Sequence, residues 1–306
     1  MSTVYVHADD FGYTLNTSKD IIECIKNNNL DSFSIICNTT GFDDSIKLLY
    51  DTISTLVKLP KIAVHINIVE GYSLSNSSFL SNNGIINTSW LKLLFSYFST
   101  NKRNVEDQLE KEIVLQIEKV KNVYEKCLEI AKNNNVQYEQ HGLRIDSHVH
   151  THAIPVVFNA LTRAINTNEY NVENIRNPKE PILPFILSVK NIFSYKPTNV
   201  IKNIVLNIFS HRIDKYCDEN QMTKTFMWGL IMSGKMDYER INNIYSNMYK
   251  KAKDNNRNLE ILFHPGKAMK NEYSNELNKE NMDSFNTTIN RTIEKNTVDR
   301  IKNIIK

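Results

Sequence analysis

The residues of this 306-residue chain that are best suited to chemistry are carboxylates and histidines in four short segments. The segments are HADDFG with Asp9 and Asp10, AVHINIVEG with His65, DSHVHTHAIP with His148, His150 and His152, and EILFHPG with His264. Imidazole nitrogens and carboxylate oxygens bind divalent metals, and the same groups transfer protons in acid–base catalysis. The pattern therefore indicates a metal-assisted or acid–base reaction, provided that the fold brings the four segments together.

The Asp9–Asp10 pair directly follows the first predicted strand. Adjacent side chains of an extended segment point to opposite sides. Both carboxylates can reach one site where the strand breaks into a turn, and Gly12 permits such a turn. One carboxylate could then bind a metal while the other handles a proton. The alternative is an Asp pair that caps the following helix.

The segment DSHVHTHAIP carries the strongest local signal. If it stays extended, His148, His150 and His152 all face one side. Such a run is too long for one ion to bind all three rings. One or two are therefore expected to be metal ligands, and the others to orient a ligand, bind substrate or carry protons. Asp146 shares the face of His148 and could orient it, whereas a surface histidine tract is the alternative.

His65 and His264 are each ambiguous when considered alone. His65 lies in an apolar strand, where a single histidine is more often a hydrogen-bonded core residue than a ligand. His264 enters a Pro-Gly turn directly after the last predicted strand. That position suits a general acid or base, and a simple turn residue is the alternative.

Alternating strands and helices place these segments at one rim of a mainly parallel sheet, because the carboxyl ends of parallel strands meet there. The patterns predict strands at 3–8, 32–37, 61–69, 143–149, 172–176, 223–228 and 259–263. They predict helices at 17–26, 43–57, 104–132, 155–166, 190–212 and 237–254, and a loop over the site at 71–89. Asparagine runs at 27–29 and 133–135 are expected to end helices. We expect a single α/β domain over residues 1–306.

Charge and composition exclude several function classes. The chain has 37 Lys and Arg against 34 Asp and Glu, which gives no strong field for nucleic acid or an anionic membrane. Its four cysteines form no CxxC pair and favour reduced thiols in the cytoplasm. No stretch approaches 18 uninterrupted apolar residues, so no membrane span is expected. A weakly charged small molecule is the expected partner, and a homo-oligomer is possible.

The four segments, in this order and at these separations, resemble those of the YdjC-like (ChbG-like) carbohydrate deacetylases. NIRNPKE and FMWGLIMSG add to the likeness, which runs to about residue 270, and residues 270–306 are expected to form a C-terminal helical segment that is only loosely similar. The resemblance implies a distorted (β/α) barrel of the TIM-barrel type, with embellishing loops and helices. It also implies metal-dependent removal of an acetyl group from an N-acetylated sugar.

Matched position by position, the resemblance implies a role for each residue of the site. Asp10, His65 and His148 would bind one divalent metal ion, first of all Zn²⁺ or Mg²⁺, with Mn²⁺, Fe²⁺ or Co²⁺ also possible. Asp9 would be the general base and His264 the general acid. Contacts to substrate would come from Arg176, Glu180, His150, His152 and Trp228, although a buried core tryptophan is an equal alternative for the last.

Two other functions use similar residues. A metallo-phosphoesterase or dinuclear amidohydrolase also places Asp and His at strand ends but holds two ions. A non-catalytic protein that binds sugar or metal could retain the pocket. The presence of Asp9 and His264 argues against a non-catalytic binding protein, because binding alone needs neither of them.

Overall fold

The fold is built on a sheet of seven parallel strands, seen in a computed structural model that describes residues 2–269, 272 and 286–305. In spatial order the strands are β7 (Val172–Ile175), β6 (Leu143–Ser147), β3 (Lys61–Ile66), β2 (Ser32–Ile35), β1 (Val4–Phe11), β9 (Asn258–Phe263) and β8 (Thr225–Trp228). A separate antiparallel pair consists of β4 (Ser81–Asn82) and β5 (Ile85–Ile86).

Helices surround this sheet. They are α1 (Leu15–Lys26), α2 (Phe42–Ile53), α3 (Trp90–Ser96), α4 (Lys102–Asn133), α5 (Pro155–Thr167), α6 (Leu183–Leu187), α7 (Pro197–Glu219), α8 (Tyr238–Asp254) and α9 (Ile289–Val298). Short 3₁₀ segments lie at His148–Ala153, Val189–Ser194 and Ile301–Asn303. Over the described ranges, every helix is too short or too polar to cross a bilayer.

The sheet curls into a half-barrel, which confirms the predicted distorted (β/α) barrel. Its two outermost strands are β7 and β8. Lys179, a few residues after β7, accepts a backbone hydrogen bond of 3.0 Å from the N–H of Met227 in β8. The two edges of the curled sheet are therefore linked where an open sheet would leave them apart.

The two faces of the curled sheet differ in polarity, and this difference positions the site. Outward-facing residues such as Phe33 and Val64 join the apolar core with the buried stripe of α4, which includes Ile113 and Ile117. Burying each such side chain stabilises the folded state by roughly 1.5–3 kcal/mol relative to leaving it exposed to water. The inward face instead carries hydrogen-bonded polar side chains, beginning with His7 of β1, which bonds to Ser32 of β2.

All seven predicted strands are present, but several boundaries and short elements differ from the predictions. The fourth predicted strand ends at Ser147, before the histidines. The helix predicted at 190–212 is instead a 3₁₀ segment followed by α7, which begins at Pro197, a residue whose fixed φ suits the first turn. The predicted loop 71–89 contains the β4–β5 pair, and helices α3 and α6 were not predicted. Helix α9 lies within the segment 270–306 that was expected to be helical, of which residues 270–271, 273–285 and 306 lie outside the described residues.

The asparagine runs do end helices. Asn28, after α1, and Asn135, after α4, both have positive φ values, 54° and 55°. Asparagine tolerates this left-handed conformation better than most residues, so it takes the place that glycine often holds at a helix C-terminus. That prediction is confirmed.

Candidate metal centre and active site

A chain of buried side chains crosses the interior of the half-barrel. Asp9 of β1 accepts a 3.0 Å hydrogen bond from Ser34 of β2, and Ser34 also contacts His65 of β3 at 3.0 Å. The Nδ1 atom of His65 lies 2.6 Å from Asp146 of β6. Four neighbouring strands thus contribute to one connected polar network, in which each group limits the orientation of the next.

A local irregularity in β1 turns both of its carboxylates toward this network. The register between β1 and β2 shifts between Ala8 and Phe11, and Asp10 has a φ of 71°. Gly12 follows with a φ of 95°, and a Cβ atom there would lie 2.4 Å from the carbonyl oxygen of Ile36. The strand continues to Phe11 rather than breaking into a turn, so the irregularity itself presents Asp9 and Asp10 to one site.

Asp10, His65 and His148 form a buried group that could hold a metal ion. Asp10 Oδ1 lies 3.4 Å from His65 Nε2 and 3.1 Å from His148 Nδ1. Ligands about 2.1 Å from a common ion lie about 3.0 Å apart at a right angle and about 3.4 Å apart at the tetrahedral angle. The observed separations therefore fit a single divalent ion. His65 Nε2, one of the facing atoms, has no hydrogen bond among the described residues.

The charge around this group also favours a cation. Among the residues that the structure describes, six buried carboxylates lie in or around this group, and two buried arginines balance them. The carboxylates are Asp9, Asp10, Glu70, Asp146, Glu260 and Glu294, and the arginines are Arg176 and Arg291. Buried charges without compensation are costly, so the cluster needs further positive charge from protons or from a metal ion.

The two imidazoles respond to this excess of negative charge. Burial alone lowers the pKa of a histidine, but Asp9, Asp146 and Asp10 outweigh it and raise the pKa of His65 to about 10. Burial likewise opposes protonation of His148, whereas Asp10 and Glu70 raise its pKa to about 9. Without a metal, both rings therefore carry protons at neutral pH.

A second buried group, His7, Asp9 and Asp146, also has metal-ligand geometry. Arg176 already occupies its carboxylates, since Nη2 lies 2.8 Å from Asp9 Oδ1 and 2.9 Å from Asp146 Oδ2. Its Nε atom donates a 2.6 Å hydrogen bond to Glu260. A guanidinium that bridges two carboxylates supplies the positive charge that a second ion would otherwise bring.

The same guanidinium keeps Asp9 ionised. Burial raises the pKa of this carboxyl group, but the nearby Arg176 and His65 outweigh burial and hold it well below its usual value. Asp10 behaves similarly, because Arg291 and His148 overcome the effect of burial and hold its pKa low. Both carboxylates of HADDFG are therefore charged at neutral pH.

His264 lies beside Asp9 and directly follows β9, the strand that pairs with β1. Its Nε2 atom is 3.9 Å from Asp9 Oδ2, and the ring is 17% exposed. Two buried residues of α9 form hydrogen bonds with His264 and Asp10. Glu294 accepts a 2.7 Å hydrogen bond from the backbone N–H of His264, and Arg291 donates a 2.9 Å bond to Asp10 Oδ2.

The family model described as YdjC-like protein matches residues 3–126 and 138–299. The chain belongs to the YdjC-like family. The match extends through α9, so the C-terminal segment that had seemed only loosely similar is part of the family's common sequence up to residue 299. This family is related to the carbohydrate deacetylases.

A solved structure shows that the fold is shared. A protein of Enterococcus faecalis V583, provisionally described as a cellobiose-phosphate cleavage protein, superposes with a TM-score of 0.60 at 14% identity. The alignment covers 99% of this chain and 94% of that one. At this identity the likeness concerns the YdjC-like architecture rather than the substrate.

The histidines of DSHVHTHAIP do not lie on one extended face in this YdjC-like chain. His148–Ala153 form a 3₁₀ segment in which Val149 and His150 have positive φ values, 47° and 59°. His148 reaches Asp10, whereas His152 bonds to Ser147 and to the carbonyl oxygen of Arg176, at 2.6 and 2.7 Å. The expectation of an extended segment is wrong, because the chain turns sharply at the rim.

Several residues expected to contact substrate instead have protein surroundings. The carboxylate of Glu180 accepts hydrogen bonds from the backbone N–H groups of Gly229, Leu230 and Ile231, and burial raises its pKa to about 7. Trp228 is fully buried. These positions favour the core tryptophan over a stacking platform and make Glu180 an anchor for the turn after β8.

Arg176, His150 and His152 are buried as well. The guanidinium of Arg176 is taken up by protein carboxylates, and both nitrogens of His152 are hydrogen-bonded. His150 differs, because its Nδ1 atom has no hydrogen bond among the described residues. Burial and Arg176 hold the pKa of His150 well below its usual value, so its ring is neutral.

Sequence reasoning missed five residues of this cluster: His7, Glu70, Glu260, Arg291 and Glu294. Three of them lie inside segments that were recognised, His7 in HADDFG, Glu70 in AVHINIVEG and Glu260 in EILFHPG, so their position was an available signal. The residues on α9 had no such signal, because a single Arg or Glu on an amphipathic helix usually faces solvent.

Proposed function

We propose that this chain is a metal-dependent hydrolase that removes the acetyl group from an N-acetylated amino sugar or a short oligosaccharide. The observation that carries the proposal is the juxtaposition of three groups: the Asp10–His65–His148 cluster, the ionised Asp9 and His264. An amide hydrolase needs these three functions together, namely electrophilic assistance, a base and an acid.

Asp10, His65 and His148 would hold the ion. A divalent ion there would polarise the amide carbonyl and make a water molecule easier to deprotonate. The three residues leave further coordination positions open, as a catalytic site requires.

Asp9 would accept the proton of the attacking water. Its carboxylate is charged and is fixed by two hydrogen bonds of 2.8 Å from Arg176, so it cannot turn away from the site. A carboxylate with a depressed pKa is a weak base. Proton transfer to Asp9 therefore depends on a water that has already been acidified.

His264 would donate a proton to the departing amine. It lies on the opposite side of Asp9 from Ser34, and its backbone is anchored by Glu294. Its ring is the more exposed partner of the pair, which suits a group that must meet the substrate nitrogen and recover a proton afterwards. The products would be acetate and a free amino sugar.

The dinuclear alternative depends on the second group, His7, Asp9 and Asp146. Arg176 is bonded to two of its three members. A second dication would have to lie beside this guanidinium, at a cost that the first site does not carry. One ion per chain is the expected stoichiometry.

The test is an acetate-release screen over N-acetylglucosamine, its 6-phosphate and short chitin oligomers, with and without chelator. Release should require metal, and Asp9→Asn should lower the rate by about 10²–10⁴-fold while metal content stays near one ion. The exposed His211→Gln is the matched control and should keep full activity. Full activity in Asp9→Asn, or release of phosphate instead of acetate, would overturn the proposal.

A further inference from the structure

Glu70 is a buried carboxylate next to the candidate metal site. It is 1% exposed, and its Oε1 atom lies 2.9 Å from His148 Nε2. Neither of its oxygens makes a hydrogen bond of good geometry with any described residue. A carboxylate buried without donors is costly, so the N–H of the ring beside it has an energetic reason to point toward it.

His148 lies between two carboxylates that contact different nitrogens of its ring. Nδ1 faces Asp10 Oδ1 at 3.1 Å, within the metal-binding group, and Nε2 faces Glu70. His65 has the opposite arrangement, since its Nε2 faces Asp10 and its Nδ1 contacts Asp146 at 2.6 Å. Each imidazole therefore has one nitrogen toward the ion site and the other toward a buried carboxylate.

We propose that Glu70 is a positioning residue that accepts the Nε2–H of His148 and thereby makes Nδ1 the ligand atom. The inference rests on the metal site of the proposed function. It assigns different ligand atoms to the two histidines, Nδ1 in His148 and Nε2 in His65. A carboxylate behind a metal-bound imidazole fixes its tautomer and orientation and raises its basicity.

The loop that carries Glu70 is built to hold it in place. Asn67 donates a 2.8 Å hydrogen bond from its side chain to the carbonyl oxygen of Glu70, and the side chains of Asn67 and Asn38 bond to each other at 3.0 Å. Gln116 of α4 bonds to the backbone of Asn67 at both its N–H and its carbonyl group. A carboxylate on a backbone fixed in this way can define the orientation of the ring that it contacts.

The first measurement identifies the protonated ring nitrogen in the wild-type protein. Zinc is added to protein labelled with ¹⁵N in histidine, and long-range ¹H–¹⁵N spectra identify which ring nitrogen is protonated. His148→Gln removes one set of signals and so assigns it. We expect a protonated Nε2 and a zinc-bound Nδ1 for His148, with the reverse pattern for His65; zinc on Nε2 of His148 would contradict the inference.

The second measurement is the zinc dissociation constant by chelator competition. Glu70→Gln should weaken zinc binding by about 10–100-fold, as loss of such a partner typically does, and Asp146→Asn should do the same through His65. Glu106→Gln is the matched control, because Glu106 is also buried but bonds to Asn159 of α5 rather than to the loop that carries Glu70. Its affinity should equal that of the wild type.

The outcomes separate the two proposals. If the wild-type protein binds no zinc, the metal site and this inference fail together. If it binds zinc and Glu70→Gln binds equally well, only the role of Glu70 is refuted. If Glu70→Gln loses zinc as completely as Asp10→Asn does, Glu70 is a direct ligand rather than a positioning residue, and the inference is wrong.

Discussion

Metal binding should release about two protons at pH 7.5. In the metal-free protein the pKa values of His65 and His148 are raised to about 10 and about 9, so both rings are protonated at this pH. A metal ion binds only the unprotonated nitrogen that faces it, and each ring must therefore lose a proton. The apparent affinity should rise by about 100-fold per pH unit between pH 7 and 8.5, which is ~2.7 kcal/mol for two protons.

Calorimetric titration in buffers of different ionisation enthalpy measures this proton release directly. His65→Asn should reduce the release to about one proton, and the exposed His211→Gln should leave it unchanged. Release of less than half a proton by the wild type, or an affinity independent of pH, would show that the imidazoles are neutral without metal. The charge argument for the site would then be wrong.

The same pKa shifts predict a pH-dependent stability. The pKa of each ring in the folded state, about 10 for His65 and about 9 for His148, lies above its unfolded value of about 6.5. Protonation of the two rings therefore stabilises the fold fully below pH 6.5, and this stabilisation is lost as pH rises through 9 to 10. The free energy of unfolding of the metal-free protein should fall over that range. The metal-loaded protein should show a smaller fall, because the ion replaces the protons.

Three substitutions test other parts of the cluster. Arg176→Met should cost roughly 3–5 kcal/mol of unfolding free energy in urea titrations, because it leaves buried carboxylates including Asp9 without their cation; a loss below 1 kcal/mol would contradict that role. Glu294→Gln should lower kcat about five- to tenfold with KM unchanged, because it weakens the charge-assisted hydrogen bond from the backbone N–H of His264. A change in KM alone would instead indicate that Glu294 contacts the substrate. Glu180→Ala should lower the unfolding free energy by about 3 kcal/mol but leave KM unchanged, and a raised KM in a fully stable variant would restore it as a sugar contact.

The sequence could predict that these segments lie close together, because the principle behind that prediction is topological. Parallel strands end at one rim, so HADDFG, His65 and His264 could be placed together from the strand pattern alone. It could not show how Asp9 and Asp10 share a face. That depends on a register shift in the pairing of β1 with β2, and the pairing of two strands cannot be read from the local sequence of one of them.

The protein partners of Glu180 and Arg176, two predicted substrate contacts, could not be predicted from the sequence. Glu180 and Arg176 are polar residues near a site, and sequence alone cannot tell whether such groups face a sugar or other protein groups. Their partners, the turn after β8 and the carboxylates of β1 and β9, are 49 to 167 residues away. Arg291 is the extreme case, since it reaches Asp10 across 281 positions.

The pairing of β1 with β9 has a consequence for how the protein folds. Val4 lies opposite Leu259, so the strand that carries Asp9 gains its second neighbour only when a chain segment of about 250 residues has closed. Contacts of this separation form slowly, and until then β1 has an unpaired edge on the side where β9 will dock. We therefore expect Asp9 and His264 to come together among the last events of folding, well after the core between β1, β2 and β3 has formed. We also expect folding intermediates to be vulnerable to aggregation through that edge.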